Sequence, residues 1–170
     1  MLKTDRLLLR PWKTIDIYPY TELCSDSEVM RWIGDGSTKT KEECTNAIGK
    51  FEEFWNQHGF GLFALELLEN HQFIGFAGLS IPNFLPEVMP YVEIGWRLAR
   101  SAWGYGFATE AAEASVQFGF ESCALNRIVG IHQEGNSASA RIMQKLDMTP
   151  FLETIDPSCN RAVIVHELLS

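Results

Sequence analysis

The sequence predicts an α/β (α+β) domain in which strands and helices alternate around a mixed sheet. Three observations predict it: helix-start signatures early in the chain, a switch from helical to extended hydrophobic period near residue 60, and a bare glycine loop that joins a strand to a helix. The 170 residues form one domain, 1–170, with no repeat and no linker. A chain of this size buries roughly 70% of its unfolded surface, enough for a sizeable core.

Leu7, Leu8 and Leu9 read as a short buried strand that ends at Arg10-Pro11, because proline has no amide to give a ladder. Ser25-Asp26-Ser27-Glu28 and Thr40-Lys41-Glu42-Glu43 both fit a capping box, in which a hydroxyl and a carboxylate satisfy reciprocal orphan amides. The second box opens a long helix. Its Cys44, Ile48, Phe51 and Trp55 recur at helical spacing as one apolar stripe, which assigns Phe51, Phe54 and Trp55 to packing, and the helix stops near His58-Gly59. Apolar runs over 60–68 and 72–79 flank Glu69-Asn70-His71 and read as a β-hairpin. A loop bracketed by Pro82, Pro86 and Pro90 leads into a strand over 91–98, where Gly95 leaves a side-chain gap. A helix then runs from the glycine loop to about Cys123. A strand covers 127–132, Asn136 N-caps a helix ending near Asp147, and 161–168 makes the final strand.

Composition narrows the function classes. With 46% hydrophobic and 12% aromatic residues and a mean hydropathy of -0.06, the chain is globular rather than disordered or fibrous. Its net charge of -8 repels a phosphate backbone, so nucleic acid is not expected as a partner. Cys24, Cys44, Cys123 and Cys159 show no CxxC pairing, and His58, His71, His132 and His166 are scattered, so no metal site and no disulfide framework is expected. No stretch approaches the roughly 18 apolar residues of a membrane span. A cytoplasmic protein without address or anchor, and without a membrane partner, is the expectation.

The loop Trp103-Gly104-Tyr105-Gly106-Phe107-Ala108-Thr109 carries the most information. Gly104, Gly106 and Ala108 keep the chain bare where a helix begins, so backbone amides can converge on an anion and the helix dipole adds about half a positive charge. No Gly-Lys-Ser/Thr follows, so this is not a Walker loop, and the spacing is not that of a dinucleotide site. As a plain strand-to-helix turn the same glycines would serve packing.

Glu93-Ile94-Gly95-Trp96, the loop 103–109 continuing into Glu110-Ala111, and Asn136-Ser137-Ala138-Ser139 leading to Lys145-Leu146 resemble consecutive motifs of the GNAT N-acetyltransferase superfamily, in order and in spacing. The opening Arg6-Leu7-Leu8-Leu9-Arg10-Pro11 also resembles the ribosomal-protein N-terminal acetyltransferase (RimJ/RimL-like) branch. The resemblance covers essentially the whole chain. It implies a GNAT fold, with a mostly antiparallel splayed central sheet flanked by helices, and acetyl-coenzyme A as cosubstrate beside the glycine loop. It assigns Trp103, Gly104, Tyr105, Gly106, Phe107, Ala108 and Thr109 to the phosphates, the backbone of Ile94, Trp96 and Leu98 to pantetheine and acetyl, and Asn136 to the pantetheine arm. Two positions depart from the branch. Tyr105 stands where Lys is frequent, and Asp147 where Gly commonly ends the last helix, which predicts a less tightly turned helix end.

Attack of an amine on a thioester needs a neutral amine, stabilised charge on the carbonyl oxygen and a proton for the departing sulfur. Within the resemblance, Ser139 is the catalytic acid toward sulfur and Glu93 the first choice for steering the amine proton through water, with Glu134 behind it. Alternation puts Ile94, Trp96 and Leu98 on one face of their strand and Glu93, Gly95 and Arg97 on the other. Glu93 and Arg97 lie about 13 Å apart along it and cannot pair. Arg141 and Lys145 are read as solvated helix charges, and His132 as a satisfied strand histidine. The expected partner is an amine acceptor. A protein or peptide α-amine suits a weak base, since it is about 10–20% neutral at pH 7, against about one part in 2,500 for a lysine-like amine. A small amine such as a polyamine or antibiotic, and a non-catalytic acyl-coenzyme A sensor, are the alternatives. A homodimer is compatible with the sequence, which does not fix oligomeric state.

Overall fold

The computed structural model describes residues 1–170. Eight strands form one sheet in the order β1-β2-β3-β4-β5-β6-β8-β7: β1 Leu2–Lys3, β2 Leu7–Arg10, β3 Leu62–Leu67, β4 Phe73–Ser80, β5 Val92–Leu98, β6 Arg127–Gln133, β7 Thr149–Asp156 and β8 Arg161–Leu169. Neighbours are antiparallel except at the centre, where β5 and β6 run parallel. A parallel pair requires a crossover. The crossover here is α4 Phe107–Glu121; the other helices are α1 Ile17–Ser25, α2 Ser27–Met30, α3 Lys41–His58 and α5 Ser137–Lys145. No helix is long and apolar enough to cross a membrane.

Thr40 caps α3 as its sequence predicts: its hydroxyl accepts from the Glu43 amide, and the Glu43 carboxylate accepts from the Thr40 amide. Gly59 ends that helix in the left-handed region at φ 72. The earlier box is not formed. Ser25 is the last residue of α1 and its hydroxyl bonds back to the Glu22 carbonyl, while Asp26 caps α2 through the Glu28 amide. A carboxylate accepts an amide bond better than a hydroxyl already engaged in the preceding helix. Asp147 also corrects its expectation. It adopts φ 57, and the amides of Asp147 and Met148 close on the Gln144 and Met143 carbonyls, so α5 ends in a fully formed Schellman turn without glycine.

Two apolar layers sandwich the sheet. On one face Trp12, Tyr20, Cys24, Cys44, Ile48 and Phe76 pack together under α1 and α3, with Phe51 against the Trp12 ring. On the other, Leu7, Leu9, Phe63, Ile74, Ala77 and Leu98 meet Ala111 of α4, and Trp55 and Phe118 join Phe63. Beyond β5 the second layer continues as Ile94, Ala112, Ile128, Met143 and Met148. Phe54, against His58 and Phe60, completes the packing role expected of the α3 aromatics. Arg10 is buried at the end of β2, donating to both Asp16 and Glu66 at 2.7 Å, which staples the approach to α1 onto β3. All four cysteines are free thiols.

Candidate active site

Only Val92 and Glu93 of β5 pair with β6, at Ile128 and Val129; farther along, the two strands splay. On its other side β5 stays laddered to β4 through Leu98. Alternate backbone amides and carbonyls between Ile94 and Leu98 therefore face a gap with no strand to satisfy them, save the Leu98 carbonyl, which accepts from the Trp103 indole at 2.9 Å, a cost a folded chain accepts where a ligand supplies the bonds. A cleft of about 590 Å³ opens there.

The glycine loop forms one wall. Gly104 and Gly106 have φ 83 and 84, left-handed conformations that glycine adopts without penalty, and Gly106 is the N-cap residue of α4. No side chain caps that helix, so its first amides are open toward the cleft. Arg6 fixes the loop from outside. It bonds the Tyr105 carbonyl, pairs with Glu110 at 2.6 Å and lies 4.7 Å over the Phe107 ring.

The opposite wall is the start of α5. The Asn136 carbonyl oxygen accepts from the Ser139 amide as an N-cap, and the Asn136 amide nitrogen donates to Ser139 Oγ at 3.1 Å. Both roles of one side chain are filled at once. Ser139 Oγ, having accepted that bond, still has its own proton to donate.

The cleft gathers Trp96, Leu98, Trp103, Gly104, Gly106, Phe107, Ala108, Thr109, Asn136 and Ser139. Three candidates lie outside its lining. Ile94 is 1% exposed, its side chain committed to the layer under α4 and α5, so only its backbone can serve. Tyr105 is exposed, stacked on Phe107 with ring centres 5.7 Å apart. Glu93 sits at the last paired rung before the splay, opposite Ser80 on β4. Burial pushes its carboxyl up to about 8; the Ser80 hydroxyl pulls it down and the charge of Asp156 raises it further. Glu134 is exposed at the end of β6. His132 is buried and satisfied, with Nδ1 on the Gln133 carbonyl and Nε2 3.1 Å from His166 Nε2.

Residues beyond the expected set also line the cleft. Arg141 and Lys145 project from α5 into it rather than standing wholly in solvent, and Glu28, Val29, Arg31, Trp32 and Ile33 close it from α2 and the following loop. That loop is clasped from the far side of the sheet. Arg161, at the start of β8, donates to the Arg31 and Asp35 carbonyls and to Gln133 Oε1, while Gln133 Nε2 donates to the Gly34 carbonyl at 2.7 Å. Trp32, within the loop, lies over Gly135, where an added Cβ would come within 3.2 Å of its ring. Arg31 and Trp32 sit in an irregular segment with no periodicity, so sequence offered no signal for them.

Residues 6–149 match the family model described as an acetyltransferase (GNAT) domain, and the chain belongs to the GNAT acetyltransferase family. It is 28% identical over 145 residues to the "uncharacterized N-acetyltransferase p20" of Bacillus licheniformis, covering 85% of this chain and 80% of that protein. The crystal structure of a GNAT-family acetyltransferase from Bacillus anthracis superposes with a TM-score of 0.84 at 26% identity, over 99% of this chain and 97% of the other. RimL, a ribosomal L7/L12 α-N-protein acetyltransferase in complex with coenzyme A, shares the fold with a TM-score of 0.78 at 14% identity, over 98% and 95% of the two chains. The protein is thus an acyltransferase that uses acetyl-coenzyme A as donor. The splayed, mostly antiparallel sheet expected from the motifs is the fold observed.

Proposed function

We propose that this enzyme acetylates the α-amine of a protein or peptide by direct attack in a ternary complex, within the ribosomal-protein N-terminal acetyltransferase branch. The observation that carries the transfer reading is the convergence, in one cleft, of the unladdered β5 backbone, the open N-terminus of α4 and the Ser139 hydroxyl. The α-amine part rests on the opening 6–11 motif, on the fold shared with RimL and on the demand for only a weak base.

Acetyl-coenzyme A brings the acetyl group as a thioester. The amides of Gly104, Gly106, Phe107, Ala108 and Thr109 would hold its phosphates, and the rings of Trp103, whose indole N–H is engaged by the Leu98 carbonyl, and Tyr105 would border them. Free backbone groups at Ile94 and Trp96 and the amide of Leu98, whose carbonyl is taken by the Trp103 indole at 2.9 Å, would hold the arm and orient the acetyl carbonyl, with Asn136 fixing the arm from the other wall. Ser139 donates a proton to the departing sulfur, and Glu93 receives the amine proton through water. With its carboxyl near 8, Glu93 is half ionised at mildly basic pH, which matches an α-amine better than a lysine.

The test is competition between a basic peptide with a free amino terminus and the same peptide blocked there but carrying lysines, with spermidine and an aminoglycoside alongside, read as thiol release from acetyl-coenzyme A. Acetylation of the free terminus is expected. Reaction of the blocked peptide alone, or of the small amines alone, would overturn the α-amine reading, and acetyl-coenzyme A binding without any thiol release would make the protein a sensor.

A further inference from the structure

Arg97 has no task in the chemistry so far. It lies on β5 between Trp96 and Leu98, yet its side chain turns to the opposite face, where Cζ sits 5.2 Å from the Phe76 ring beneath α1 and α2. Arg6, Arg10, Arg100 and Arg127 each meet a carboxylate, and Arg161 is held by carbonyl oxygens. Arg97 meets neither. Its Nη1 donates only to sulfur, to Cys24 at 3.5 Å and Met30 at 3.6 Å, its Nε is buried with no partner, and Nη2 has no protein partner but is not enclosed. Thiol and thioether sulfurs are weak acceptors and the Phe76 face offers only a cation–π contact, so no anion matches the positive charge.

A half-buried cation without a counter-anion opposes folding, and a methionine would fill a wall of Cys24, Met30 and Phe76 without that penalty. Glu93 does not neutralise it, being about 13 Å away along the strand. Glu28 also lines the cleft, but no ion pair joins it to Arg97. Arg97 shares the cleft with the glycine loop, but its guanidinium is held against Cys24, Met30 and Phe76 and makes no bond to the loop.

We propose that Arg97 recognises a carboxylate carried by the acceptor, so that the substrate is an amine bearing an acid group within the same molecule. This rests on the amine-acetylation reading above and narrows it. The planar guanidinium grips a carboxylate through two parallel bonds, which fixes the orientation of the acceptor as well as its affinity. A free amino acid and a peptide with an acidic residue at its amino terminus both offer that chemistry.

Two probe pairs separate these sources: glutamate against glutamine α-amide, and Asp-Ala-Ala-amide against Asn-Ala-Ala-amide. Each is titrated calorimetrically into coenzyme A-loaded protein and assayed for acetylation. One acid probe is expected to exceed its neutral partner about 100-fold in kcat/KM, chiefly through KM. In Arg97→Met that ratio should fall to near one, and in Arg97→Lys to about tenfold, because charge survives and the fork does not. Arg97→Met should melt no lower than the wild type, since it removes an unmatched charge; a merely structural arginine would lower the melting temperature and leave the ratio unchanged. Equal binding of acid and neutral probes by the wild type, or an acid preference that survives in Arg97→Met, overturns the proposal. Arg97-dependent binding of an acid probe with no acetylation of any amine would sink the transfer reading and leave the anion site standing, while transfer without acid preference does the reverse.

Discussion

Ser139 accepts one hydrogen bond, from Asn136, and retains one to give, which is the state an acid needs before sulfur departs. Ser139→Ala is therefore expected to lower kcat about 100-fold while coenzyme affinity by calorimetry changes less than about threefold. An unchanged kcat removes the acid role. Glu93 yields a prediction about pH. Its carboxyl keeps a proton up to about 8 in the folded protein, against 4.5 when unfolded, so between those values the native state binds more protons and stability falls as pH rises. Urea melts at pH 5 and pH 8 should show that decline, with a slope of at most about 1.4 kcal/mol per pH unit from this group, and Glu93→Gln should flatten it. In turnover, Glu93→Gln should raise the pH needed for activity; an unchanged profile removes the base role. At this scale the sequence was legible where a motif fixed the residue, as at Asn136 and Ser139. It was silent on Arg97, whose significance lies in the partners it lacks, and on the proximity of Ser80 and Asp156 to Glu93.

Among the elements, the turn into α4 is the proposed donor site. Gly106 is left-handed, and an added Cβ would come within 3.5 Å of Arg6 Nη2. A β-branched residue there is strained and stands where phosphate must approach amides, so Gly106→Val is expected to weaken acetyl-coenzyme A binding at least about tenfold by calorimetry. Equal affinity would place the phosphates elsewhere. The elements most readable in sequence were those with a strong period or cap, such as α3 behind Thr40 and the β3–β4 hairpin. Two strands were not read. β1 has only two residues, too few for any period, and β7 begins at Thr149-Pro150 on the edge of the sheet, where its outer residues Phe151 and Ile155 are exposed and no buried face marks the alternation. The splay between β5 and β6 is equally hidden, because both strands read as ordinary apolar runs and only their pairing shows where they part.

Across the whole molecule, charge is unevenly distributed. The net charge is -8, yet Arg31, Arg97, Arg141 and Lys145 all line the cleft, against Glu28 as its one acidic residue. On the proposed reading the far field attracts a basic peptide, while the cleft would receive anionic groups on the donor and, through Arg97, on the acceptor. Long-range attraction is screened beyond about 10 Å at 0.1 M salt. The kcat/KM for a basic peptide should therefore fall several-fold between low and moderate salt, with little change for a neutral peptide of equal length. A salt-independent rate for the basic peptide would remove the steering role of the acidic surface. The family and its mostly antiparallel splayed sheet came from the motif series; the strand order did not. The proposed acceptor side did not either, since α2, the loop after it and one face of β5 share no local pattern.

The clasp by Arg161 has a consequence in time. The loop that closes the cleft is made well before the guanidinium that holds its Arg31 and Asp35 carbonyls, which comes at the start of β8. Until residue 161 has left the ribosome, the growing chain can display the glycine turn and α4 without a fastened roof. The roof of the cleft is thus fastened only once β8 has begun to pair.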